Sequence, residues 1–223
     1  AKSVYEGGEL AYLTNFCPIS ILGSVYEIIA KLLANRMLQF LPLCILDNIF
    51  MARSAMDWAE ESDQPLILLL LDFEKTYDRV SWKFLQQTMI PMGFPLGWVE
   101  LVMSLYNEAT ASVVLNGTLG EPFSLQRSVR QGRPLAPYLY LIAADVNGHM
   151  VDDPARSLIG LTLPDGRKTD NQMYADDAAL YLHGNVSNLD TTMRILTTYR
   201  AGCGARINWR KSNGIWASQT PRD

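Results

Sequence analysis

At 223 residues, with 48% hydrophobic and 10% aromatic content, the chain can bury one sizeable core or two lobes. A net charge of −4 and a pI near 5.2 argue against a nucleic-acid binder that works by bulk electrostatics. Three widely spaced cysteines, Cys17, Cys44 and Cys203, with only His149 and His183 beside them, speak against a disulfide framework or a zinc site and fit a reducing, intracellular setting.

Residues 1–23 read as loop, with Pro18 inside Asn15-Phe16-Cys17-Pro18-Ile19-Ser20. The start has no basic region followed by an apolar segment, so no secretory signal is visible. It has no initiator methionine either and reads as an internal fragment. The spacing of Val25, Ile28, Ile29, Leu32, Leu33 and Leu38 predicts a helix over 24–41 with Ser24 as N-cap and that stripe facing inward. Lys31 and Arg36 lie off the stripe. A second helix is expected over about 47–61, through Ile49, Ala52, Met56 and Ala59.

Pro65-Leu66-Ile67-Leu68-Leu69-Leu70 has the length of a strand covered on both faces and is far too short to span a bilayer. It delivers Asp72 to a strand end, where an uncompensated buried carboxylate would be costly. The bland alternative is a turn or N-cap aspartate ahead of the helical pattern at Trp82. Two amphipathic helices, 82–89 and 98–106, follow. Ser112-Val113-Val114-Leu115 and Pro122-Phe123-Ser124-Leu125 then flank Asn116-Gly117, a hairpin signal whose turn extends to Gly117 or Gly120. Gln131-Gly132 precedes a helix expected over 136–150. Gly132 permits close backbone approach, and Pro134 and Pro137 stiffen the helix entry.

Strands are expected around Leu158–Leu163 and from Gln172 onward. Tyr174-Ala175-Asp176-Asp177 forms an acidic hairpin tip before the apolar run Ala178–Leu182. Paired acids at a rigid turn suit a hard divalent cation such as Mg²⁺. An Asp-Asp turn alone is commonly just a solvated loop tip. A second strand-end acid, Asp72, makes a shared two-metal centre for in-line phosphoryl transfer the reading preferred here. The chain closes with a helix over 188–199, its Leu189, Met193 and Leu196 inward, and short strands from Ile207 and Ile215.

Five blocks carry a resemblance: Asn15–Ser20, Leu71–Val80, Ser128–Pro137, Tyr174–Asp177 and Gly204–Ser212. In this order they resemble the reverse transcriptase domain of a plant non-LTR (LINE-type) retrotransposon, over nearly the whole chain. The resemblance implies an α+β right-hand polymerase palm, an antiparallel sheet backed by helices, with partial fingers over 1–64, palm with interleaved fingers segments over 65–223, and no thumb. It implies an RNA-directed DNA polymerase acting on an RNA template, a DNA primer and dNTPs with two Mg²⁺ ions (or Mn²⁺), within a longer polyprotein or a truncated element copy. No membrane partner is implied, and the compartment is the nucleus or cytoplasm.

By residue, the resemblance makes Asp72 and Asp176 ligands of both ions, with Asp177 a weaker or outer ligand and the backbone at Phe73 and Glu74 lining the second ion. Tyr77 matches the ring that excludes a 2′-hydroxyl; the alternative is a core tyrosine. Gln131 and Gly132 would position template and nucleotide, and Lys211 resembles the basic residue that protonates pyrophosphate. Lys31 and Arg36 either approach template or triphosphate or sit on a solvated face.

Three departures stand out. Cys17 occupies a position that is usually arginine. A fingers segment ending in Gly-Arg-Ser is missing between the first two helices. Arg133 replaces the usual cysteine, where it either contacts phosphate or obstructs. Cys17, the shortened fingers and the absent thumb favour a rival reading, a relic or nucleic-acid-binding palm without turnover, whereas intact Asp72, Asp176 and Asp177 favour the enzyme. A generic phosphatase or nuclease explains neither Gln131-Gly132 nor Tyr77.

Overall fold

The computed structural model describes residues 2–5, 16–19, 24–38, 46–115, 118–166, 168–169, 171–174 and 177–217. Strand β1 (Lys2–Tyr5) pairs antiparallel with β2 (Phe16–Ile19), where a loop was expected. Each strand of this two-stranded ribbon is an edge, so Pro18 needs no second partner strand.

Helix α1 (Ser24–Met37) and helix α2 (Leu46–Glu61) come next. On α1 the expected inward stripe is corrected. Val25, Ile28 and Leu32 are 72%, 61% and 60% exposed, and the packed face is Ala30, Leu33, Ala34 and Met37. Both stripes have helical spacing, but the one with two alanines lets a neighbouring element approach closely, and close packing selects it. Lys31 and Arg36 are exposed on the same helix.

Strand β3 (Leu66–Asp72) leads into the one-turn helix α3 (Thr76–Arg79), then α4 (Trp82–Met89) and α5 (Leu96–Ser104). Ser81 caps α4 by accepting from the Phe84 amide at 3.4 Å. Two nested antiparallel ribbons follow: β4 (Thr110–Ala111) with β7 (Phe123–Ser124), and inside them β5 (Val114–Leu115) with β6 (Thr118–Leu119). Leu115 faces Thr118, so the connection is the two residues 116–117, which lie outside the described ones. Helix α6 (Ala136–Val151) matches its expected span to within a residue.

The remainder comprises β8 (Leu161–Thr162), β9 (Lys168–Thr169), β10 (Asn171–Tyr174), β11 (Asp177–His183), helix α7 (Val186–Cys203) and β12 (Asn213–Ala217). The four-stranded antiparallel sheet has the order β10-β11-β3-β12. Helix α7 begins two residues earlier than expected because the Asn185 side chain accepts from the Asn188 amide at 2.8 Å. It ends at Gly204, whose φ of 85° suits glycine.

The inward face of α7 is Asn188, Thr191, Thr192, Ile195, Leu196, Tyr199 and Cys203; Leu196 is inward as expected, Leu189 is half-buried, and Met193, 45% exposed, is corrected. Asn188 sets this register. Its amide donates to the carbonyls of Ile159 and His183 and accepts from the Ile159 amide, so a buried polar anchor rotates the helix. No described helix is long and apolar enough to cross a membrane.

The chain forms two compact units, residues 1–40 with 77–143, and residues 41–76 with 144–223.

Candidate active site

The second unit contains the four-stranded sheet, and its register decides which side chains share a face. Side chains alternate along a strand, so Leu66, Leu68, Leu70 and Asp72 of β3 point the same way. Tyr181 pairs with Leu68, Ala179 with Leu70 and Asp177 with Asp72 on one side; Ala217, Ile215 and Asn213 pair with Leu66, Leu68 and Leu70 on the other. At the start of β3 this face is apolar and covered. Ala55 and Ala59 of α2 pack with Leu66, Leu68, Tyr181 and Ala217. Burial pushes the Tyr181 phenol up to about 12, and its hydroxyl donates to Gln172 Oε1 at 2.8 Å.

Toward the end of β3 the face opens, with α2 forming one wall. Leu70 is 37% exposed, so the expectation of a strand buried on both faces fails at this end. Here lies a cavity of about 770 Å³, lined by Met56, Leu70, Ala179, Asp72, Asp177 and Lys211 among others. Asp72 and Asp177 are directly opposed in the antiparallel register. Cβ atoms in such pairs are about 5 Å apart, and like charges so placed repel. A divalent cation between them removes that repulsion, so the donor set fits a hard metal. Asp177, expected as the outer ligand, is therefore the nearest cross-strand neighbour of Asp72. Asp176 lies outside the described residues, and among those described no cluster of three metal-ligating side chains occurs.

The end of β3 is held by the segment 204–212. The Asn208 amide donates to the Asp72 carbonyl at 2.8 Å, and the Asp72 amide donates to Ser212 Oγ at 3.1 Å. Ser212 Oγ in turn donates to the Asn208 carbonyl at 3.0 Å, closing a ring of hydrogen bonds. One turn further, the Glu74 amide donates to the Arg206 carbonyl at 2.7 Å, and the two side chains form an ion pair at 3.5 Å. Phe73 is buried edge-on against Tyr199, and Thr76 Oγ1 donates to the Phe73 carbonyl. Ser212 and Asn208 were missed as site residues. Their block was visible in the sequence, but only the charge of Lys211 drew attention to it.

Tyr77, Gln131 and Gly132 belong to the first unit, which is described by itself. Tyr77 is half-buried, its ring tilted against buried Tyr140 with centroids 5.3 Å apart. The Val129 amide donates to the Tyr77 carbonyl at 2.8 Å, tying the two sequence blocks together. Gln131 is half-buried and Gly132 exposed with φ of 84°, a conformation that favours glycine. Arg130 lies over the rings of Tyr26 and Tyr106, 5.2 Å from each centroid. Tyr106 is buried, and desolvation raises its phenol far above the usual range. Arg133 is buried and ion-paired with Glu27 of α1, so its guanidinium is engaged within the protein. Cys17 lies in β2.

Residues 8–221 match the family described as reverse transcriptase (RNA-dependent DNA polymerase). The chain is 32% identical to the transposon TX1 uncharacterized 149 kDa protein of Xenopus laevis, over 93% of this chain and 17% of that protein. It is 26% identical to the retrovirus-related Pol polyprotein from type-1 retrotransposable element R2 of Bradysia coprophila, over 90% of this chain and 24% of the polyprotein. The structure of telomerase from Candida albicans, solved with a fragment of telomeric RNA, superposes with a TM-score of 0.57 over 90% of this chain and 35% of that one, at 16% identity. The chain belongs to the reverse transcriptase family, as a domain of the non-LTR retrotransposon type with the palm fold. It spans about a fifth of the length of these retrotransposon relatives.

Proposed function

We propose that this domain carries out RNA-directed DNA synthesis, extending a DNA primer on an RNA template with dNTPs, as part of a longer protein of a plant LINE-type element working inside the cell. The observation that carries the reading is the direct opposition of Asp72 and Asp177 at the open end of an otherwise apolar sheet face. On this reading residues 65–223 carry the palm with interleaved fingers segments, and residues 1–64 a partial fingers region.

Asp72, Asp176 and Asp177 would hold two divalent cations, Mg²⁺ by preference. Bound there, the ions supply Lewis acidity for the attacking 3′-hydroxyl and charge neutralisation for the leaving pyrophosphate. The chain's own residues orient and select. Asp72 presents its carboxylate from a strand end fixed by Asn208 and Ser212. The backbone at Phe73 and Glu74, clasped by Arg206, lines the same edge. Lys211, which lines the cavity, neutralises pyrophosphate and returns a proton to it. Tyr77 excludes a ribose 2′-hydroxyl, and Gln131 with Gly132 positions template base and nucleotide. Lys31 and Arg36, exposed on α1, meet template or triphosphate.

A second reading, a palm without turnover, is favoured by one feature: Cys17 offers no charge at a position that the resemblance makes an arginine. Primer extension separates the two readings. The purified chain, an RNA template annealed to a DNA primer, dNTPs and Mg²⁺ or Mn²⁺ should yield extended product that Asp176→Ala abolishes. Mn²⁺ binding followed by electron paramagnetic resonance should be lost in Asp72→Asn. A folded chain that binds Mn²⁺ but does not extend is the non-catalytic palm.

A further inference from the structure

Of the five tryptophans, four are at least half withdrawn from solvent with their rings engaged or packed. Trp58 Nε1 donates to the Thr162 carbonyl, Trp82 Nε1 donates to the Ser128 carbonyl, Trp98 stacks on Phe94 at 4.8 Å, and Trp216 is half-buried in β12. Trp209 differs. It is 58% exposed, and among the described residues it makes neither a hydrogen bond nor a ring contact. A large indole left in water is costly for the isolated chain, and its flat face is a ready surface for a planar partner.

Two features say what that partner is. First, the segment 206–212 carries only cations: Arg210 and Lys211, both exposed, follow the indole directly, and Arg206 is paired with Glu74. The acids Asp57, Asp72 and Asp177 belong to the cavity that Lys211 also lines. Second, the turn is rigid. The Lys211 and Ser212 amides both donate to the Asn208 carbonyl, at 3.0 and 2.9 Å, and the turn is fastened to Asp72 by the hydrogen-bond ring already described. A preordered aromatic beside two cations binds bases by stacking and phosphates by charge at little entropic cost.

We infer that the turn 208–212 is a docking surface for a single strand of nucleic acid, with the Trp209 indole as stacking platform for one base and Arg210 and Lys211 as contacts for the adjoining phosphates. This deepens the polymerase reading and rests on its nucleic-acid partner. Because Lys211 also lines the cavity, a strand held here runs to the rim that carries Asp72.

The test is tryptophan fluorescence of the full 223-residue chain, titrated with oligouridylate and, separately, oligothymidylate of about a dozen nucleotides, a span within the site sizes of single-strand binders. The parent should show saturable quenching. Trp209→Phe should bind within a few-fold of the parent but lose most of the quench. Trp209→Ala should bind about tenfold more weakly, the loss expected of one stacked base. An abasic strand of equal charge should bind parent and Trp209→Ala alike. Arg210→Ala should flatten the dependence of affinity on salt by about one unit of slope. Circular dichroism should be unchanged throughout, since the residue is more than half exposed and its indole makes no hydrogen bond or ring contact among the described residues.

Whichever oligomer binds the parent tighter identifies the natural strand as RNA or DNA. Equal affinity of parent and Trp209→Ala, or abasic strands as tight as base-bearing ones, overturns the inference. Quenching by neither oligomer in a chain that still extends primers also overturns it, and assigns the indole to a protein neighbour. Trp209-dependent binding without primer extension leaves this surface standing and removes the polymerase reading.

Discussion

The two ends of one sheet face are built from the same three strands and could hardly differ more. At the start of β3, Leu66, Leu68, Tyr181 and Ala217 lie under α2 and pack with its Ala55 and Ala59. Two registers further on, the same face carries Leu70, Ala179, Asp72 and Asp177, opens into the cavity, and sets two carboxylates against each other. The covered end stabilises the sheet through apolar burial. The open end sets two like-charged side chains opposite each other, an arrangement that costs rather than contributes stability. Stability and chemistry, Leu68 and Asp72, are thus separated by about four residues of strand, roughly 13 Å at strand rise.

The sharpest break of this contrast is at the acids. Asp72→Asn should lower primer extension roughly a thousandfold or more, since it removes a metal ligand from the reacting centre. The metal-free protein should melt no lower than the parent, because the variant also removes repulsion with Asp177. A melting temperature well below the parent's would mean that Asp72 is structural. Leu68→Ala at the covered end should do the converse. It costs about 2–5 kcal/mol in urea unfolding, as large-to-small core substitutions do, while any protein that stays folded keeps its affinity for Mn²⁺.

Ser212→Ala sharpens the open end. Loss of one hydrogen-bonded hydroxyl costs about 1 kcal/mol, but the Mg²⁺ concentration needed for half-maximal extension should rise several-fold, with Ser212→Thr restoring it. An unchanged metal requirement would show that the clasp does not position Asp72.

The smallest effect is expected at high pH. Burial holds the Tyr181 phenol at about 12, above the 10 of the unfolded chain, so its contribution to stability is complete below pH 10 and is lost as pH rises through 12. Tyr181→Phe should flatten that loss slightly in melts at pH 9 to 12. A parent whose stability is level across this range would contradict the burial of the phenol.

Much of this was legible from residue pattern. The apolar strand that ends at Asp72, the span of α6 and the strand that carries Ala178 to Leu182 each follow from period or flanking chemistry that acts over a few residues. The failures share one cause. On α1 two apolar stripes have equal helical spacing, and the choice of Ala30, Leu33, Ala34 and Met37 was made by close approach. On α7, Asn188 took the inward position because the carbonyls of Ile159 and His183 needed a donor. Neither need is written near the residue that answers it.

The candidate site divides in the same way. Sequence alone determined that two strand-end acidic sites exist, which residues compose them and which family they resemble, because those signals are local and chemical. Only the tertiary structure decided that Asp177 stands opposite Asp72, that Ser212 and Asn208 grip the strand from 140 and 136 residues away, that Arg133 is consumed by Glu27, and that Trp209 is left in water. The physical reason is that strand register and hydrogen-bond satisfaction depend on partners distant in the chain, and a run of residues carries no record of which distant group will face it.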